Sequence, residues 1–187
     1  MAGHHSGGYF EAEMRRFAFL FLALLGLAVP AAALAATTAA GDGTLVVQNG
    51  QAPDSGPDKA PVVRLTITGS VIGQVNGQAR IIIDQTAKSP LPEVTGADYS
   101  KDSTVSDTAK VWYSNAGGGF KFRAVGGTYT IVIFGSDVNL VAVGTGKVQL
   151  AGTPDAGKTD GKYSLNGDPW KSLPGTPTAQ LSIASNG

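Results

Sequence analysis

The sequence predicts an all-β domain, an antiparallel sandwich or barrel of about ten short strands. Three observations carry this. Runs of β-branched and aromatic residues alternate in part with a period of two. Glycine, asparagine, aspartate and proline punctuate those runs. Beyond the N-terminal segment, no stretch keeps a helical apolar period with caps at its ends.

The N-terminal segment is of another kind. Arg15 and Arg16 form a short positive region, Phe17 to Val29 (FAFLFLALLGLAV) is apolar, and Pro30 precedes a run of alanines. That is the pattern of a secretory signal over residues 14–35, with cleavage expected before Ala36 or, second, after Ala40. The alternative is an uncleaved anchor, because 17–36 approaches the ~20 apolar residues that span a bilayer. The alanine-rich exit without a charged flank favours cleavage. Residues 1–13 (MAGHHSGGYFEAE) are expected to be an upstream extension, with Met14 as the start. Residues 36–187 would then form a single secreted or envelope-associated domain, of a size that a hydrophobic core can support without disulfides.

Thr44–Gln48 (TLVVQ) reads as the first strand, closed by the turn pair Asn49-Gly50, and Gln51–Pro61, with three prolines, reads as a loop. Val62–Thr68 and Ala79–Asp84 read as strands, with Gly69, Gly73 and Gly77 forming tight turns between two or three of them. Gln85–Ala109 is the long irregular connection. Loops longer than about 12–15 residues are uncommon unless functional or disordered, so it is a candidate recognition loop as well as a plain surface loop. Lys110–Ser114 is a strand, followed by the turn NAGGG.

From Phe120 the rhythm is regular: FKFRAVGG, TYTIVIFGSD, VNLVAVGTG and KVQLAG each give a strand and a glycine turn, most simply as antiparallel neighbours. In TYTIVIF, Tyr129, Ile131 and Ile133 share one face, and Thr130, Val132 and Phe134 the other, as in a central strand covered on both faces. Phe120 and Phe122 should point into the core against outward Lys121 and Arg123. Thr153–Gly161 is a loop, Lys162–Leu165 a strand, Asn166–Pro169 a turn, and Ala179–Ala184 the last strand. A β-solenoid is the alternative architecture, since glycine-punctuated strands resemble its coils; the unequal spacing from Phe120 to Gly152 speaks for an antiparallel meander.

Composition restricts the chemistry. The chain has no cysteine, and its two histidines, His4 and His5, precede the signal. The expected mature domain therefore lacks thiol nucleophiles, imidazole bases and the two commonest zinc ligands. Carboxylate, tyrosine and lysine chemistry remain. Net charge is zero and the cations are scattered, so neither nucleic acid nor an anionic membrane is implied, and membrane contact is expected only through an uncleaved signal. No cofactor is implied.

The segment YSLNGDPWKSLP places Tyr163 and Trp170 near Asn166 and Asp168 at a turn, the ingredients of a carbohydrate-binding surface. Set against this is an ordinary role for Trp170 in capping the core and for Asp168 in holding its turn. Trp112 and Tyr113 lie on opposite faces, so at most one is core and the other is a candidate ligand platform. Asp155, Asp160 and Asp168 are the only local cluster of oxygen ligands suited to calcium, but their spacing is not that of an EF-hand, and turn stabilisation explains them better. Two acids across a cleft would make a glycoside hydrolase, yet nothing singles out a pair.

GTLVVQNG, GSVIGQVNGQ and YSLNGDPWKSLP together resemble segments of small exported bacterial β-proteins of no known activity. The resemblance covers about half of the expected mature chain in patches and implies no reaction. Three functional expectations stand: a non-enzymatic exported domain that binds a glycan or another cell-surface component, a carboxylate-only glycoside hydrolase, and a self-assembling envelope protein whose apolar strands pair edge to edge.

Overall fold

A computed structural model describes residues 41–53, 60–85, 89–101, 104–106, 108–114, 118–153 and 161–184. The chain separates into two units, Met1–Thr37 and Thr38–Gly187. Residues 1–35, expected to be an extension and a signal, lie outside the described residues, as do Asp155 and Asp160.

Nine strands and no helix occur among the described residues: β1 (Gly43–Gly50), β2 (Val63–Gln85), β3 (Glu93–Thr95), β4 (Asp98–Ser100), β5 (Ala109–Ser114), β6 (Phe120–Leu150), β7 (Lys162–Leu165), β8 (Lys171–Ser172) and β9 (Leu181–Ile183). They form one sheet in the order β4-β5-β2-β6-β1-β7-β8, with β3 and β9 added along β6. Every pairing is antiparallel, which sets aside the parallel coils of a solenoid. The order ends at β4 and β8 without joining, so the fold is sandwich-like rather than a closed barrel.

Two strands depart from the expected short hairpins. β2 has 23 residues and β6 has 31, and the glycines read as turns lie inside them. The long ladder joins Val63 to Leu150 and Gln74 to Asn139, turns a corner at Asn76 opposite Ser136, and continues from Arg80–Phe134 to Gln85–Tyr129. Gly77, Gly135 and Asp137 take positive φ at this corner. Past it, β6 returns beside the start of β2, so Ile133 lies between Val63 and Ile81. The sheet thus folds over on one face.

A row of glycines marks where it folds. Gly127 faces Gly69, Gly69 faces Gly144, and Gly144 faces Gly43. A Cβ on Gly69 would meet the Val143 carbonyl oxygen, and one on Gly144 that of Thr68. Gly69 at φ +153° and Gly144 at φ +147° occupy backbone that side-chain-bearing residues avoid. Glycine within a strand often marks close backbone approach, as it does here.

The inner face carries the core. Leu65, Ile67, Ile81, Ile83, Ile131 and Ile133 from one part of the sheet join Leu45, Phe120 and Phe122 from the other, all buried. Gly73 opens space for the Phe122 ring, which a Cβ would strike. TYTIVIF is the central strand expected: Val132 and Phe134 are also buried, on its other face. Residues 89–101, read as part of an irregular connection, contain β3 and β4. They are anchored where they leave β2: Gln85 Nε2 donates to the carbonyls of Ser89 (2.7 Å) and Pro90 (2.8 Å), and Ser89 Oγ accepts from the Thr128 amide at 2.9 Å.

Candidate functional site

The turn before Trp170 is built by its sequence. Asn166 (φ 52°) and Gly167 (φ 81°) both take left-handed backbone, and the Asp168 amide donates to the Leu165 carbonyl at 2.9 Å. Asn-Gly suits such a turn because both residues tolerate positive φ. The Asn166 side chain bridges to β9, donating to Ser182 O at 3.0 Å and accepting from the Ala184 amide at 3.3 Å. Asp168 serves the turn: its carbonyl accepts from Ser164 Oγ at 2.6 Å, and its carboxylate pairs with Lys171 at 3.3 Å.

Of the aromatics singled out, Trp170 is 47% exposed, with Lys162 Nζ 5.0 Å from its ring centroid. Tyr163 and Trp112 are not surface platforms. Both belong to the core, Trp112 beside Ile81 on the inner face and Tyr163 beside Val47. Alternation in KVWYS leaves Trp112 inside, and Tyr99 meets its ring edge-on with centroids 6.0 Å apart. The four sequence candidates therefore do not form one exposed surface. Among the described residues, no group of three His, Cys, Asp or Glu side chains is placed to hold a metal.

A different site lies on the outer face, where the ends of β2 and β6 run side by side. Thr68 stands opposite Thr128 on one side and Thr145 on the other; Thr66 stands opposite Thr130 and Lys147; Arg64 stands opposite Val132 and Gln149. Period-two alternation sends these side chains outward while Leu65, Ile67 and Val148 point into the core. An open depression of about 400 Å3 covers this surface from Arg64 to Thr68 and from Thr145 to Gln149, with Gln180 at its border.

The hydroxyls of Thr66 and Thr68, which line it, meet those of Thr130 and Thr128 on the strand beside it. Thr68 and Thr128 Oγ1 are 2.9 Å apart, Thr66 and Thr130 Oγ1 3.5 Å apart, and β-branching restricts each χ1. Cross-strand neighbours lie about 5 Å apart and next-but-one residues along a strand about 6.7 Å, so the hydroxyls form a grid. Among the described residues, Arg64 and Lys147 are the only charged ones lining the depression, and neither has an ion-pair partner there. Sequence reading passed over these residues because each looks like an ordinary solvent-facing strand position. The available signal was the repeated Thr-x-Thr of TIT (66–68) and TYT (128–130), which acquires meaning only once the register sets them side by side.

Fold and site together define an all-β domain that presents a polar, cationic depression on its sheet. Compared with known protein families, curated proteins and solved structures, the chain shows no match.

Proposed function

We propose that the chain is an exported, non-enzymatic binding domain of the cell surface or its surroundings, with a polyhydroxylated ligand such as a glycan lying on the threonine grid. The observation that carries this reading is the register that brings Thr66, Thr68, Thr128, Thr130 and Thr145 onto one outer surface. Hydroxyls and amides both donate and accept, which matches the alternating donors and acceptors of a sugar. Arg64 and Lys147 add positive charge beside the hydroxyls.

Among the described residues no acid lines the depression, which favours binding over hydrolysis there. Asp84 accepts from Thr108 at 3.1 Å on β2, Glu93 of β3 pairs with Arg123 at 3.9 Å, and Asp168 pairs with Lys171 in the turn before β8. Edge-to-edge assembly gains no support from TYTIVIF, whose Ile131 and Ile133 are paired on both sides, or from the terminal strands β4 and β8, which have three and two residues. The test is a glycan array probed with the exported protein and with Thr68→Val/Thr128→Val. A bound glycan that the double variant binds at least fivefold more weakly, at unchanged melting temperature, is the expected result. Equal binding by the variant would move the site away from the grid, and hydrolysis of any glycan would replace the reading with an enzymatic one.

A further inference from the structure

We infer that the depression selects acidic polysaccharides, with Arg64 and Lys147 holding carboxylates of a uronic-acid chain while the threonines engage its hydroxyls. This rests on the binding function proposed above and names its ligand class. Three observations carry it. Among the described residues the lining contains two cations and no carboxylate. Neither cation is neutralised by an ion pair among the described residues. And the register sets them diagonally: Lys147 lies on the neighbouring strand, two residues from Gln149, which faces Arg64.

Such diagonal neighbours are about 7–8 Å apart, far enough to receive separate anionic groups of one chain. Guanidinium presents a planar fork that fits a carboxylate, and ammonium acts as a compact point charge. Thr66 and Thr145 border Lys147 in the same grid, so a ligand reaching both cations passes over hydroxyls. An apolar ligand would find no side chain to bury against, because Ile67 and Val148, which border the depression, turn their side chains into the core. A phosphate polymer offers anions too, but among the described residues the site holds two cations, and its other polar side chains are neutral groups suited to a sugar's hydroxyls. The chain as a whole carries no net positive charge to attract a nucleic acid.

The experiment titrates the exported protein with polygalacturonate, with its fully methyl-esterified form and with single-stranded DNA of matched length, at fixed salt. Polygalacturonate should bind more tightly than either. Arg64→Gln/Lys147→Gln should weaken that binding about three- to tenfold, as expected for two exposed ion pairs, and leave the melting temperature unchanged. Equal affinity for the methyl ester, or retention of affinity by the double variant, would overturn the acidic-ligand inference while leaving glycan binding intact. DNA binding as tight as polygalacturonate binding would overturn it in favour of an indiscriminate polyanion site. No binding to polygalacturonate would overturn it outright, and an empty glycan array as well would remove the underlying function.

Discussion

Replacing Gly144 with alanine tests whether the glycine row permits the sheet to fold over. The new Cβ would meet the carbonyl oxygen of Thr68, part of a backbone that cannot swing aside like a side chain. Two costs combine. Holding alanine at φ +147° costs about 1–3 kcal/mol, and forcing an extra carbon into a filled contact costs typically about 1–3 kcal/mol. Together they amount to about 4 kcal/mol, a large part of the roughly 5–15 kcal/mol that stabilises a domain. Gly126→Ala is the control, because Gly126 also has positive φ (66°) but nothing within 4 Å of its added Cβ. It should lose only about 1–2 kcal/mol. For a domain of this size, Gly144→Ala should melt about 8–16 °C lower and Gly126→Ala about 2–8 °C lower, measured by circular dichroism with urea titrations alongside. Equal losses in the two variants would refute the argument that close strand approach, rather than φ alone, requires glycine at 144.

Two further predictions concern the core and its border. Tyr129 is buried, and its hydroxyl donates towards the carbonyls of Pro90 (3.0 Å) and Val125 (3.2 Å), so Tyr129→Phe should cost about 1 kcal/mol near neutral pH in urea titrations. Burial pushes that hydroxyl's pKa above 10.0: below this pH both states keep the proton, while above it the unfolded chain ionises first, so wild-type stability falls with rising pH and Tyr129→Phe removes that part of the fall. Leu173 is buried against Gly50, Gly152 and Gly161, so Leu173→Ala should cost about 2–4 kcal/mol in thermal melts, whereas Trp170→Ala, at an exposed ring, should cost under about 0.5 kcal/mol.

Much of the fold was legible because burial imposes a period of two. TYTIVIF and FKFR showed their inner residues directly, and Phe120, Phe122, Ile131 and Ile133 are where alternation put them. Strand length was not legible. Gly69, Gly73, Gly127 and Gly144 look like turn punctuation locally, and only the partner strands reveal that glycine is needed for close approach. The candidate site was harder still. Trp112 and Tyr163 carry the chemistry of a sugar platform, but the large apolar area of an aromatic ring is as useful inside, where both lie. Arg64, Thr66 and Lys147 are unremarkable in sequence, and their meaning comes from pairing β2 with a segment about 80 residues later.

That separation has a kinetic consequence. Val63 finds its partner at Leu150 and Thr44 finds its partner at Val143, so the centre of the sheet cannot assemble until nearly the whole of β6 is present. Folds dominated by such distant pairings form slowly, on the order of milliseconds to seconds, because chain closure precedes any reward from contacts. Until then β1 lacks its partner in β6, and the incomplete chain is at its most prone to aggregate. A fragment ending before residue 138 lacks the partner of β1 altogether. Completion of the sheet's centre therefore waits on the last residues of β6, and β1 gains its second neighbour only when β7 follows.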